Sequence, residues 1–180
     1  MTVDVLQGFL DPAYVYNFEQ GPNRVSSEVD ARLYGINCVT LAHLAIRRLF
    51  DRELPSNLHC YEMATDEDYL ETIESPELME RGDLIWFGYA NPPQSIEDFA
   101  PIYDSEGYLL NWRDSPIKHV AMYTGEQQQD GDFLMLHSTH IEGTNTVWPL
   151  SLFAKYKRYE RIYRIGRFKT EVEQPIQVEL

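Results

Sequence analysis

The feature that most restricts the fold of this chain is a run of apolar and small side chains at helical spacing. The run follows the i, i+3, i+4, i+7 stripe of an amphipathic helix and consists of Cys38, Leu41, Ala42, Ala45, Leu49 and Phe50. Asn37 is a good N-cap, and arginines suit the far end of the helix dipole, where the sequence has Arg47, Arg48 and Arg52. The pattern predicts a helix over residues 38–52.

Downstream of this helix, the pattern changes to short apolar runs bounded by turn residues. Residues 84–87 are typical of a buried strand, and residues 117–124 and 133–139 flank a polar bridge that favours a β-hairpin. Further strands are predicted over 145–150 and 161–165, with a short helix over 152–159 between them. The order predicts an α+β fold with N-terminal helices packed on one side of a small antiparallel β-sheet.

The length and composition fit one domain over residues 1–180, because 43% of the residues are hydrophobic and can form a single core. Residues 1–30 are predicted to be an irregular N-terminal arm or short elements laid over the core, and residues 170–180 a loosely attached tail. Residues 89–116 form a long insertion loop without periodicity. A loop of this length favours a lid or pocket wall, and a surface insertion is the alternative.

Charge is unevenly distributed along the chain, whose formal net charge is −14. Acidic residues crowd the segment 62–80, in which residues 65–80 favour one or two short helices interrupted at Ser75-Pro76. The basic residues that crowd the end of the fold are Lys155, Lys157, Arg158, Arg161, Arg164 and Arg167. Opposed solvated faces are the favoured interpretation, and a docking surface for a protein partner on segment 62–80 is the alternative.

The acidic balance argues against nucleic acid or an anionic membrane as a partner, because affinity for phosphate rests on clustered Lys and Arg. No apolar run approaches the roughly 20 residues of a membrane span, and the first ten residues carry no basic leader region. The chain as written therefore predicts a cytoplasmic protein. Removal of a leader, or export without a signal, would make it periplasmic or secreted.

Cys38 is the first candidate for chemistry. A cysteine in the first turn of a helix feels the positive end of the dipole and unpaired backbone N–H groups, which favour the thiolate. The alternative is a core position, since free cysteine is often buried and Cys38 lies on the apolar stripe. The only other cysteine is Cys60, so a disulfide scaffold is not expected and a reducing compartment fits best.

Two histidines could complete a site with Cys38. A nucleophilic thiol needs a base and a third polar group that orients the base. His119 begins one predicted strand and His137 ends the next, and facing residues on adjacent strands lie about 5 Å apart. Either histidine alone could instead be a core residue satisfied by the backbone.

The other histidines are weaker candidates. In an extended segment, His140 would point to the opposite face from His137, and the spacing of both lacks the pattern of zinc motifs. His43 and His59 fit packing or surface roles. No metal and no cofactor are therefore expected.

Four segments together resemble the signature blocks of the NlpC-type cell-wall cysteine peptidases, which belong to the papain-like superfamily. They are residues 34–41 (YGINCVTL), 81–87 (RGDLIWF), 118–125 (KHVAMYTG) and 136–139 (LHST). The similarity extends over about residues 34–167 in the order of the family. It implies a papain-like core in which a helix carrying the nucleophile packs against an antiparallel sheet carrying the histidines.

The resemblance also implies roles for individual residues. Cys38 would be the nucleophile, His119 the general base and acid, and His137 the orienting group. Tyr34 is a weak candidate for stabilising the oxyanion, because the family keeps a tyrosine upstream of the nucleophile at a longer spacing. The backbone N–H of Cys38 is the better candidate for this role.

The chain departs from the family beside the nucleophile. Relatives that cut next to γ-linked D-glutamate usually have Asp-Cys-Ser-Gly, where the aspartate helps hold the free amine of the substrate, and this chain has Asn37-Cys38-Val39-Thr40. Asn37 can cap the helix but brings no charge. The loop over residues 89–116 is also longer than is common in the family.

These observations predict a bacterial cysteine hydrolase that cleaves an amide through a thioester. The first substrate to consider is a peptidoglycan stem peptide of the γ-D-glutamyl-diamino-acid type. One alternative is acyl or amide transfer through the same thioester. The other is a non-catalytic binding or immunity-type domain on the papain-like frame.

Overall fold

The computed structural model describes residues 4–171, which form a mixed α+β fold around one antiparallel sheet. The α-helices are α1 (Glu28–Tyr34), α2 (Cys38–Phe50), α3 (Cys60–Thr65) and α4 (Leu150–Phe153). The strands are β1 (Leu70–Thr72), β2 (Leu84–Gly88), β3 (Ile117–Gln127), β4 (Phe133–Thr139), β5 (Thr144–Pro149) and β6 (Arg161–Phe168). Short 3₁₀ helices lie at Gln7–Leu10, Pro76–Leu78 and Lys157–Tyr159.

Helix α2 confirms the helix predicted at Cys38. The side chain of Asn37 caps its first turn by accepting a hydrogen bond from the backbone N–H of Thr40 at 2.9 Å. The helix ends at Phe50, two residues earlier than predicted, because Asp51 takes a left-handed conformation with φ of 52°. Its N–H there donates to the carbonyl of Arg47 and closes the helix.

The six strands follow the order β1-β6-β2-β3-β4-β5, with every neighbouring pair antiparallel. The predicted hairpin is β3 and β4, and the other predicted strands correspond to β2, β5 and β6. The helix predicted over 152–159 is instead α4 and a separate 3₁₀ turn.

Both faces of the sheet are covered. Helix α2 packs on the face that presents Trp86 and Met122. The other face buries Ala121 under aromatic side chains from the C-terminal part, namely Trp148, Phe153 and Tyr159. The prediction that the helices pack on one side therefore describes α2 and is incomplete, because α4 contributes Phe153 to the second face.

The acidic segment 62–80 differs from its prediction. It contains the end of α3, strand β1 and a 3₁₀ turn, because Leu70 is buried where β1 pairs with β6. The basic end of the chain lies against this segment. Arg164 donates to the carbonyls of Met63, Ala64 and Leu70, at 3.2, 3.3 and 3.0 Å. Arg167 also forms a salt bridge with Glu80. The interpretation as opposed solvated faces therefore fails for Arg164 and Arg167, which lie against the acidic segment.

The N-terminal arm contains short elements, namely the 3₁₀ helix Gln7–Leu10 and the start of α1. Helix α1 begins after Ser27, whose hydroxyl accepts a hydrogen bond from the N–H of Asp30 at 3.1 Å. This serine cap, followed by an acidic residue in the first turn, is a recognisable start signal. The arm also forms a parallel bridge between Tyr16 and Ile36, which brings it to the start of α2. Residues 172–180 of the predicted tail lie outside the described residues.

In the described part of the chain, every helix is too short or too polar to cross a bilayer.

Candidate active site

Cys38 is the first residue of α2 and is half-buried. The N-cap interaction of Asn37 fixes the first turn, and Asn37 Nδ2 also donates to the carbonyl of Phe18 at 3.2 Å. Thr40 Oγ1 donates to the carbonyl of Gln20 at 2.7 Å. These bonds connect the start of the helix to the N-terminal arm. The backbone that carries the Cys38 thiol is therefore held by the N-cap and by the arm.

The surroundings of Cys38 favour its thiolate. Hydrogen bonding from the Cys60 thiol is the largest cause that holds the pKa of Cys38 well below its ordinary value, and the charge and hydrogen bonding of His119 act in the same direction. A hydrogen bond from the backbone of Val120 adds to this, while burial opposes it. The pKa of Cys60 is raised well above its ordinary value by its hydrogen bond to Cys38 and by burial. The two thiols are thus unequal, and the surroundings favour the thiolate at Cys38 rather than at Cys60.

His119 and His137 contact each other, as the sequence predicts. Nε2 of His119 lies 2.8 Å from Nδ1 of His137, and both side chains are buried. The contact is diagonal, because the regular pairing of β3 with β4 reaches only as far as Met122 and Leu136. In the register of these pairs, His137 lies opposite Ala121, two residues along β3 from His119.

The environment of His137 keeps its ring neutral. Burial and the charge of His119 hold the pKa of His137 well below its ordinary value. The ring lies among aromatic side chains, with centroid distances of 4.5 Å to Trp148 and 4.7 Å to Phe153. Its Nε2 has no hydrogen-bond partner within the described residues. A neutral His137 can accept a hydrogen bond at Nδ1 from His119, which leaves Nδ1 of His119 for the thiol.

A cavity of about 90 Å³ opens beside these groups and is lined by Cys38, Cys60 and His119. Two residues of the insertion loop, Leu109 and Trp112, form one wall. This finding supports the interpretation of residues 89–116 as a pocket wall. The cavity is smaller than the ~150 Å³ that accommodates a benzene ring, so it suits one small group of a ligand.

Tyr16, which the sequence analysis did not single out, also lines the cavity. Burial is the main cause that raises the pKa of its hydroxyl, and the Cys38 thiolate adds to the rise. Tyr34 is 61% exposed at the end of α1 and is not among the cavity-lining residues. Tyr16 therefore lies near Cys38 where Tyr34 does not, and the bridge to Ile36 brings it there from 22 residues upstream. Tyr159 also lines the cavity.

The remaining histidines do not join the pair. His140 is exposed at the edge of the cavity, with its ring 6.1 Å from that of Tyr16. His43 Nε2 lies 2.8 Å from the carbonyl of Leu58, and His59 stacks on Tyr103 at 4.8 Å. Among residues 4–171, no three His, Cys, Asp or Glu side chains are grouped closely enough to hold a metal ion.

Comparisons of the chain with models of protein families, with curated proteins and with solved structures find no match.

Proposed function

We propose that this protein is a cysteine hydrolase with a papain-like core, which cleaves an amide bond through a thioester intermediate. The observation that carries the proposal is that Cys38 and His119 line one cavity, while His137 contacts His119 from outside the cavity lining. This arrangement combines a thiol whose pKa is lowered with a buried imidazole pair joined at 2.8 Å. Nucleophile, base and orienting group are the three parts that covalent catalysis by a thiol requires.

In the proposed reaction, the Cys38 thiolate attacks the amide carbonyl and His119 protonates the leaving amine. Water, deprotonated by His119, then attacks the thioester, which releases the acid and regenerates the thiol. His137 acts as a positioning residue, since its Nδ1 holds the ring of His119 while its own ring stays neutral. The charge on His119 is thus kept close to the thiolate.

The oxyanion of the tetrahedral intermediate would bind the backbone N–H of Cys38 and the hydroxyl of Tyr16. Both Cys38 and Tyr16 line the cavity. Hydrogen-bond donors that are fixed before the reaction stabilise developing negative charge strongly in a site with little water.

The first substrate class to test is a peptidoglycan stem peptide with a γ-D-glutamyl-diamino-acid bond. Asn37 replaces the aspartate that would hold a free amine, and both of its side-chain groups are used within the fold. We therefore expect peptides with a blocked or extended amino end to be cleaved at least as well as those with a free amino end.

The test is incubation of the wild-type protein and Cys38→Ala with a panel of muropeptides, followed by mass spectrometry of the products. Cleavage by the wild type alone supports the proposal. Cleavage of none of them removes peptidoglycan from the proposal. Added amine nucleophiles distinguish hydrolysis from transfer, because a transferase would yield the amine adduct in place of the free acid.

A further inference from the structure

The charge of the cavity is opposite to that of the protein. The chain has a formal net charge of −14, yet no aspartate or glutamate of the described residues lines the cavity. Two cationic side chains, Lys118 and Arg158, do line it beside Cys38. Such a local reversal of charge attracts an anion into the cleft.

Arg158 lacks a countercharge within residues 4–171, where it forms no salt bridge. Its Nε is buried and has no hydrogen-bond partner among the described residues. A buried donor of a charged group without a partner is unfavourable unless a ligand supplies the acceptor. The guanidinium is also a planar donor whose geometry matches a carboxylate.

Lys118 is held in place beside this arginine. Its Nζ donates to the carbonyls of Trp112 and Arg113 at 2.7 and 2.9 Å, which leaves one N–H for a ligand. Burial and the charge of Arg158 lower the pKa of Lys118 to about 8, so the two cations repel each other while both are charged at pH 7. An anion between them would relieve this repulsion.

We propose that Lys118 and Arg158 form an anion subsite, which binds a carboxylate carried by the substrate next to the amide that Cys38 attacks. The assignment to a substrate rests on the proposed hydrolase function. The size of the cavity, about 90 Å³, suits a carboxylate rather than a ring or a sugar.

The test compares two reagents that differ in one charged group. Iodoacetate and iodoacetamide both alkylate a thiolate by displacing iodide, so the ratio of their rate constants at Cys38 is independent of the fraction of thiolate. The subsite should favour iodoacetate, and Arg158→Gln should lower the iodoacetate to iodoacetamide ratio by about tenfold, as expected for loss of one charge-assisted contact. Arg161→Gln is the matched control, because Arg161 is exposed and does not line the cavity. Equal ratios in Arg158→Gln and Arg161→Gln would overturn the proposal.

A second measurement does not require a reactive thiol. In Cys38→Ala labelled with ¹⁵N-arginine, the Nε–H resonance of Arg158 should shift with added sodium acetate until it saturates, and more weakly when Lys118→Gln is added. A shift no larger than that of Arg161 would overturn the subsite, and a stronger response to sodium phosphate would overturn the choice of a carboxylate. If Cys38 reacts no faster than Cys60 with either reagent, the hydrolase proposal fails and the acetate titration alone decides the subsite.

Discussion

Nε2 of His119 and Nδ1 of His137 lie 2.8 Å apart although the two residues are not partners in the register of β3 and β4. The diagonal contact leaves the other ring nitrogen of His119 free to interact with Cys38 at the start of α2. Replacing the orienting ring therefore tests whether this contact has a catalytic role.

We expect His137→Ala to lower the rate of amide cleavage by about 10- to 100-fold, and His119→Ala to lower it further, because only the latter removes the general acid and base. His137→Asn should recover part of the loss, since an amide oxygen can accept the hydrogen bond from His119. The dependence of the rate on pH should keep its shape in His137→Asn. In His119→Ala, the part of this dependence that comes from the general acid and base should disappear. Identical profiles in all three variants would contradict the assigned roles.

The second cysteine gives a test of how the thiolate is stabilised. Hydrogen bonding from Cys60 is the largest cause of the lowered pKa of Cys38. Cys60→Ala should therefore raise the apparent pKa of Cys38, whereas Cys60→Ser, whose O–H donor replaces the S–H donor, should leave it closer to the wild-type value. The measurement is the pH dependence of alkylation at Cys38. An unchanged pKa in Cys60→Ala would show that the thiols do not interact.

Tyr16 and Tyr34 provide a matched pair for the oxyanion. Tyr16→Phe removes a hydroxyl from the cavity and should lower kcat by about 10- to 1000-fold with little change in KM. Tyr34→Phe should have no effect, because Tyr34 is exposed and lies outside the cavity. A larger loss in Tyr34→Phe than in Tyr16→Phe would reverse the assignment.

His43 should make the stability of the protein sensitive to acid. Burial is the main cause that lowers the pKa of His43 from its ordinary value of 6.5 to about 4. Between pH 6.5 and pH 4, the unfolded chain therefore binds a proton at His43 that the folded chain does not. The free energy of unfolding should therefore fall by about 2 kcal/mol from this group between pH 7 and pH 5, and the loss should level off below about pH 4.

The control for this prediction is His43→Gln, whose amide can still donate to the carbonyl of Leu58. Urea unfolding at pH 7 and pH 5 measures both proteins. We expect the wild type to lose more stability than His43→Gln over this interval. Equal losses would mean that His43 is protonated in the folded state.

Local pattern was sufficient for much of the fold. The stripe from Cys38 to Phe50 and the apolar runs of β2, β3 and β4 each carry their own periodicity, so these elements could be predicted. Strand β1 could not, because Leu70 is its one apolar residue, followed by Glu71 and Thr72, and the segment becomes a strand only by pairing with β6. A contact between distant segments leaves no local periodicity.

In the candidate site too, local pattern predicted some residues, and contacts between distant segments brought in the others. The sequence predicted the contact between His119 and His137 from their positions at strand ends, and the structure confirms it. It did not identify Tyr16 or Cys60, which reach Cys38 through the bridge at Ile36 and the start of α3. Neither position can be inferred from spacing, since both depend on how loops of many residues close over α2.

The most direct test of the central claim is the rate of iodoacetamide alkylation at Cys38 and Cys60 as a function of pH, measured by mass spectrometry of the modified peptides. The account predicts that Cys38 reacts well below pH 8 and much faster than Cys60, and that His119→Ala slows Cys38 at that pH by raising its pKa. Equally slow reaction of both thiols, with no effect of His119→Ala, would contradict the account.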